Sequence, residues 1–468
     1  MTQVVVIGAG PVGLAAAAHL IERGLEPIVI EAGDQVGAAV TQWGHVRLFS
    51  PWRFNTDTAA RRLLDAAGWQ EPDPDGLPTG AELVHRYLRP LAATPQLAGR
   101  IHTGTRAVAV SRRGADKVRS IDRERHPLLV RTLGAAGEVR DFEATAVIDA
   151  SGTWGHVNPI GGSGLPAPGE ADAAPYLTGP LPDVLGRDRD RFAGRSTLLV
   201  GMGHSAANTL LALQELASIA PGTTITWAIR GGSPERLYGG GDADGLPARG
   251  ALGARLRELV EAGAITLLRQ FTVAAFDPAP GGPPAGPVTV HGSTPDGPQK
   301  LDVDTVVAAT GFRPDLQLLR EVRLDLDPAV EAPAALAPLI DPNLHSCGTV
   351  PPHGERQLAH PEPGFYIAGM KSYGRAPTFL LATGYEQVRS IAAALAGERE
   401  EADTVQLSLP ETGVCATSLP DTGTTAAAGR GLATGIVHGY AGEALIGAGN
   451  PAAAGSSCCG PAGAPQCG

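Results

Sequence analysis

Apolar residues in this chain fall into short runs, and two of the runs carry the same punctuation. Val4-Val5-Val6-Ile7 is wholly apolar, as strands buried on both faces of a parallel sheet are, and Gly8-Ala9-Gly10-Pro11-Val12-Gly13 follows at once. Leu14 to Arg23 then reads as an alanine-rich helix that Gly24 stops, and Pro27-Ile28-Val29-Ile30 as a second strand ending at Glu31. The pattern recurs later. Thr197-Leu198-Leu199-Val200 leads into Gly201-Met202-Gly203-His204-Ser205-Ala206, and the next strand, Thr224 to Ile229, ends in Arg230. Strand, glycine loop, helix, strand is a nucleotide-binding unit. Two of them predict an α/β chain with two Rossmann-like dinucleotide-binding domains.

The first loop assigns a task to each residue. Gly8 permits the tight turn, Gly10 lets backbone approach a pyrophosphate, Gly13 allows close helix–strand packing, and Pro11 is expected to bind the cofactor with them. The helix N-terminus offers free N–H groups and the positive end of its dipole to phosphate. Glu31 lies at the strand end, where a carboxylate accepts from ribose hydroxyls and repels a 2′-phosphate. This half is expected to bind FAD.

The second loop differs at two places. Ala206 stands where a third glycine would be, and an arginine replaces the acid at the strand end. A guanidinium there can pair bidentately with a 2′-phosphate, so Gly201, Gly203, His204, Ser205, Ala206 and Arg230 are expected to hold NADPH, with Arg236 a second cation. A solvated arginine at a strand end is the plainer alternative.

Between and beyond the loops, Thr145 to Ile148 reads as a strand, and Asp149-Ala150-Ser151-Gly152-Thr153-Trp154 as a small-residue turn against which a flavin can lie. Pro159 to Gly194 reads as an irregular connection. Leu301 to Pro314 is expected to return the chain to the FAD part through Ala309-Thr310-Gly311-Phe312. Gly364 to Gly369 reads as the last flavin-side strand, followed by Met370 where an acid is usual, and by a helix over Pro377 to Leu395. The FAD domain is therefore expected in two parts, 1–165 and 301–397. The NADPH domain, 195–300, is inserted between them, and 398–468 is expected as a flexible Gly/Ala-rich tail.

Composition narrows the partners. At 468 residues and a formal net charge of −11, the chain is not expected to bind nucleic acid. No apolar run approaches the roughly 20 residues needed to span a bilayer, and the N-terminus enters the first strand without a basic leader, so a cytoplasmic location is expected. The five cysteines are Cys347, Cys415, Cys458, Cys459 and Cys467, and none forms a CxxC near either loop. The redox dithiol of thioredoxin and disulfide reductases is absent from those places.

On Gly8, Gly10, Gly13, Glu31, Gly201, Gly203 and Ala309-Thr310-Gly311-Phe312, residues 1 to about 397 resemble the two-dinucleotide-binding flavin-containing monooxygenases. The family's F-x-G-x-x-x-H fingerprint has no counterpart in Pro168 to Tyr176, which lacks the histidine. Val46 to Asn55, with the cysteine tail, resembles the flavoprotein monooxygenases of bacterial arsenic-resistance gene clusters, and Ser456-Ser457-Cys458-Cys459-Gly460 is similar to the vicinal pair of mercuric reductases. The resemblance implies hydride transfer from NADPH to FAD, activation of O2 and oxidation of a trivalent arsenical or related metalloid, with a homodimer left open. Arg53 and Asn55 are then candidates for polar groups on the flavin side. Trp43, Ser50 and Trp52 are candidates for its pocket, together with Thr310, Gly311 and Gly369. Cys458, Cys459 and Cys467 would capture the metalloid, since thiolates suit soft ions. Flavin-dependent N- or S-oxygenation of an organic metabolite stays open, as does a metalloid carrier without oxygenase activity.

Overall fold

Val4, Val5 and Val6 are all fully buried, and the strand they belong to, β1 (Gln3–Ile7), lies at the centre of a five-stranded parallel sheet. In this computed structural model the described residues are 2–239, 246–283, 285–342, 344, 350–377 and 379–407. The chain divides into Met1–Thr417 and Ser418–Gly468, and the second unit lies wholly outside the described residues.

β1 is flanked on one side by β2 (Glu26–Ile30) and then β3 (Ile101–His102). A three-stranded antiparallel sheet follows in sequence: β4 (Thr105–Arg112), β5 (Leu128–Gly134) and β6 (Val139–Ala144). β7 (Ala146–Asp149) then returns to the other side of β1. The helix Pro11–Glu22 links β1 to β2 and buries Leu14, Ala15, Ala16, Ala17, Ala18 and Leu20; small side chains let it lie close to the sheet.

The second sheet is also parallel. The short β8 (Leu177–Thr178) is at its edge, β9 (Ser196–Val200) at its centre, and β10 (Thr224–Ala228) and β11 (Thr266–Leu268) beyond that. A second antiparallel meander, β12 (Thr272–Pro278), β13 (Val288–Thr294) and β14 (Gly297–Val303), leads to β15 (Thr305–Ala308). β15 pairs with β9 and β8, so it belongs to this sheet. The expected boundary at residue 301 moves accordingly: the chain crosses back at Ala309–Pro314. β8 likewise lies inside the stretch read as an irregular connection. An apolar parallel strand carries no mark of which sheet it joins.

β16 (Phe365–Ile367) completes the first sheet beside β7. The helix after it covers Leu381–Leu395, starting four residues later than Pro377. No helix among the described residues is long and apolar enough to cross a membrane.

Candidate active site

The first glycine loop is built as its residues demand. Gly8 has φ +102°, and a Cβ on it would lie 2.7 Å from the Ala150 carbonyl oxygen. A Cβ on Gly13 would sit 1.9 Å from the Gly8 carbonyl oxygen, so any side chain there breaks the loop. Gly10 is different. A Cβ on it meets nothing within 4 Å, and Gly10 caps the helix without a side-chain bond, so its backbone faces open space at the positive end of the helix. The second loop repeats this division. Gly201 has φ +135°, with its virtual Cβ 2.0 Å from the Ala309 carbonyl oxygen, while at Gly203, the cap of the helix His204–Ile219, the space is open. Ala206 is fully buried and fits where Gly13 could not be replaced.

Glu31 is held by the loop it serves. Its carboxylate accepts from Ala9 N–H at 2.7 Å and from Gly33 N–H at 2.8 Å, and it lines a cavity of about 350 Å³ with Ile7, Gly8, Arg106, Ser151 and Gly152. A carboxylate has about four acceptor positions, so two backbone bonds leave capacity for ribose hydroxyls in that cavity. The turn after β7 forms the facing wall, as its small residues suggest.

Asp149, at the head of that turn, belongs to a pair that sequence reasoning missed. Lys371 Nζ donates to Asp149 Oδ2 at 2.7 Å, both side chains being fully buried, and to Ser151 Oγ at 3.2 Å. Asp149 Oδ1 in turn accepts from Ser151 N–H and Oγ–H. The available signals were an acid closing the apolar run Ala146-Val147-Ile148-Asp149, and one of only three lysines in the chain.

The two crossing segments are stitched together by a second unforeseen residue, Asn158. Its amide donates to the carbonyls of Thr310 and Phe312, and its own carbonyl accepts from Thr310 Oγ at 2.5 Å. Val157 and Phe312 form an antiparallel bridge, and Gly311 has φ +86°. Thr310 and Gly311 are thus placed at the crossing, held by its own hydrogen bonds.

The remaining candidates divide. Trp43 is half-buried and stands 6.5 Å from Trp154, whose ring is 5.3 Å from Phe312. Phe49 packs on His204, ring centroids 5.3 Å apart, which joins the 46–55 segment to the start of the helix His204–Ile219; Ser205 is half-buried beside it. Trp52, by contrast, is a core residue under Arg86. Ser50 donates to Asn55 Oδ1, and the Asn55 amide donates to the carbonyls of Ser50 and Pro51, so both side chains are spent inside their own loop. Arg53 pairs with Asp75 and lies over the Phe54 ring. Arg230 and Arg236 are exposed beyond β10, and Gly369 turns the chain after β16 with φ +71°. Cys458, Cys459 and Cys467 lie outside the described residues, and no cluster suited to a metal occurs among the described ones.

Residues 5–334 match the family model described as pyridine nucleotide-disulphide oxidoreductase. The chain belongs to that family. FAD and NADPH are its cofactors, and the open backbone at Gly10 and Gly203 fits their pyrophosphates. No curated protein matches. Among solved structures, the bacillithiol disulfide reductase of Bacillus cereus is similar at 19% identity and TM-score 0.61, covering 85% of this chain and 99% of its own. The FAD-bound cadaverine monooxygenase of desferrioxamine biosynthesis from Erwinia amylovora is similar at 14% identity and TM-score 0.58, covering 89% and 99%. A flavin-containing monooxygenase from Stenotrophomonas maltophilia is similar at 22% identity and TM-score 0.54, covering 85% and 99%. At these identities the likeness is one of fold, and it spans reductases and monooxygenases alike.

Proposed function

We propose that this chain is an FAD- and NADPH-dependent monooxygenase. The observation that carries this reading is the position of its cysteines. The family-matched stretch, 5–334, contains none, so no dithiol within it can take up the electrons, and this favours a diffusible acceptor. Two of the similar solved structures are monooxygenases, which agrees with O2 as that acceptor.

When bound, FAD supplies the redox chemistry that links NADPH to O2. The protein's residues hold and shield. Gly8, Gly10, Gly13 and Glu31 would seat the FAD pyrophosphate and ribose, and Gly201, Gly203, His204 and Ser205 the NADPH pyrophosphate, with Arg230 at the 2′-phosphate. Trp43, Trp154 and Phe312 present an apolar face that would keep water from the reacting atoms. Asn55, Ser50 and Trp52 shape the loop that carries Phe49 to His204.

For the substrate, the trivalent-arsenical reading rests on Cys458, Cys459 and Cys467 and on the 46–55 resemblance. It is one arm of the test, beside organic amines and sulfides. The purified protein is reduced anaerobically with NADPH, then mixed with O2, and products formed under ¹⁸O2 are analysed by mass. We expect flavin bleaching by NADPH, rapid reoxidation by O2 and one labelled oxygen in one substrate class. Reoxidation by an added disulfide but not by O2 sinks the monooxygenase reading.

A further inference from the structure

The turn after β16 meets the loop assigned to FAD at Val12. A Cβ on Gly369 would lie 3.3 Å from both Val12 methyl groups, and a Cβ on Gly384, in the helix Leu381–Leu395, would lie 2.6 Å from one of them. Movement of Gly369 is therefore movement against the first turn of the loop that would seat FAD.

One obligate donor orients the hydrogen bonds that Gln387 makes at this turn. Gly369 N–H donates to Gln387 Oε1 at 2.8 Å, which sets the amide's orientation. Gln387 Nε2 then points the other way, donating to Ser372 Oγ and to His353 Nε2, each at 2.9 Å. Ser372 Oγ–H donates onward to the Gly369 carbonyl at 2.8 Å. An amide NH2 cannot accept, so His353 Nε2 carries a lone pair. The ring proton sits on Nδ1 and donates to the Pro351 carbonyl at 3.1 Å. His353, Ser372 and Gln387 are all buried.

We infer that His353 is a positioning residue for FAD: only its neutral ring accepts from Gln387, and through Gln387 it holds Gly369 against Val12. The inference rests on the first loop being the FAD site. A protonated His353 would set N–H against N–H. Gln387 would have to turn over, leaving Gly369 N–H buried without an acceptor. Burial pushes the His353 imidazole below its ordinary 6.5, which keeps it neutral at pH 7. The charged neighbours are already matched: Glu386 with Arg389, Glu355 with Arg399 and Lys371 with Asp149. Tyr373, whose ring is 5.7 Å away, has its phenol pushed up by burial. His353 is the member of this cluster whose charge changes on acidification.

The test is FAD affinity, read by flavin fluorescence on the full-length protein. His353→Gln supplies a carboxamide oxygen that accepts and does not titrate; His353→Leu supplies no acceptor. At about pH 7.5 we expect the Gln variant to bind FAD within about threefold of wild type, and the Leu variant at least about tenfold more weakly. Once the pH falls about one unit below the lowered pKa of His353, the wild type should weaken by about tenfold and the Gln variant should not. Leu binding like wild type at neutral pH, or a Gln variant that keeps the wild-type acid step, overturns the inference. A wild-type protein that binds no FAD at any pH overturns the cofactor assignment itself, a distinguishable result.

Discussion

Lys371 and Asp149 form an ion pair with no exposed surface, 2.7 Å from Nζ to Oδ2. It ties the turn after β7, which presses on Gly8, to the turn after β16, which presses on Val12. Charges removed from water this completely are tolerable only because each has the other, and Ser151 takes up bonds to both.

Lys371→Met should therefore cost about 3–5 kcal/mol, because it leaves Asp149 buried and uncompensated. Lys371→Met combined with Asp149→Asn should recover most of that loss, since Asn keeps an acceptor for Ser151 without a charge. Denaturant midpoints of both variants check this. A double variant no more stable than the single one would show that the pair's role is not charge compensation.

The local units of this chain were legible because their signals are local. Gly13 is forced by the Gly8 carbonyl in its own loop, and Gly8 and Gly201 by the positive φ of their turns, although Ala150 and Ala309, which press on them, are remote; an alanine-rich helix after an apolar run declares itself by periodicity. Lys371 and Asp149 stand 222 residues apart, and no period connects them. Asn158 and Thr310 are similarly remote. Asn55 invited a flavin-side role because it is polar in an apolar segment. A buried amide must instead satisfy its own donors and acceptor first, and Ser50 and Pro51 were nearest. Arg53 was read the same way and found Asp75.

Gly10→Val and Gly13→Ala should fail differently. Gly10 has φ −80° and ψ −173°, which any residue adopts, and open space beside it. Gly10→Val should fold with a near-normal Tm and lose FAD, as the branched side chain fills the pyrophosphate's place. Gly13→Ala should lose both, because its Cβ collides with the Gly8 carbonyl. Normal flavin content in purified Gly10→Val would refute the assignment of this loop to FAD.

His360 should make the fold acid-sensitive. Burial pushes its imidazole down to about 4 from 6.5; its Nδ1 accepts from Asp325 N–H. Between those values the unfolded chain binds more protons than the folded one, so stability falls as pH falls through that window. By linkage the loss from pH 7 to pH 5 is roughly 2 kcal/mol. His360→Asn, whose Oδ1 can take over the acceptor role, should lose less over the same interval. Equal losses in urea denaturation at the two pH values would assign the sensitivity to other groups.

Arg230 offers a direct reading of cofactor choice. It is exposed just beyond β10, at a place that corresponds to that of Glu31 after β2 in the first sheet. Its pair with a 2′-phosphate would form only with NADPH bound. A charge-assisted bond contributes about 1.5–3 kcal/mol, and exposure argues for discounting this to about 1–2 kcal/mol. Arg230→Ala should then raise the KM for NADPH by roughly 5–30-fold, leave kcat nearly unchanged, and hardly affect NADH. The split between cofactors is the diagnostic part, since a general disturbance of the second loop would weaken both equally. If NADPH alone is affected but by only twofold, the exposed Arg236 shares the phosphate, and the Arg230→Ala/Arg236→Ala double variant should show the missing loss. Equal effects on NADPH and NADH in both variants would remove the 2′-phosphate from this strand end altogether.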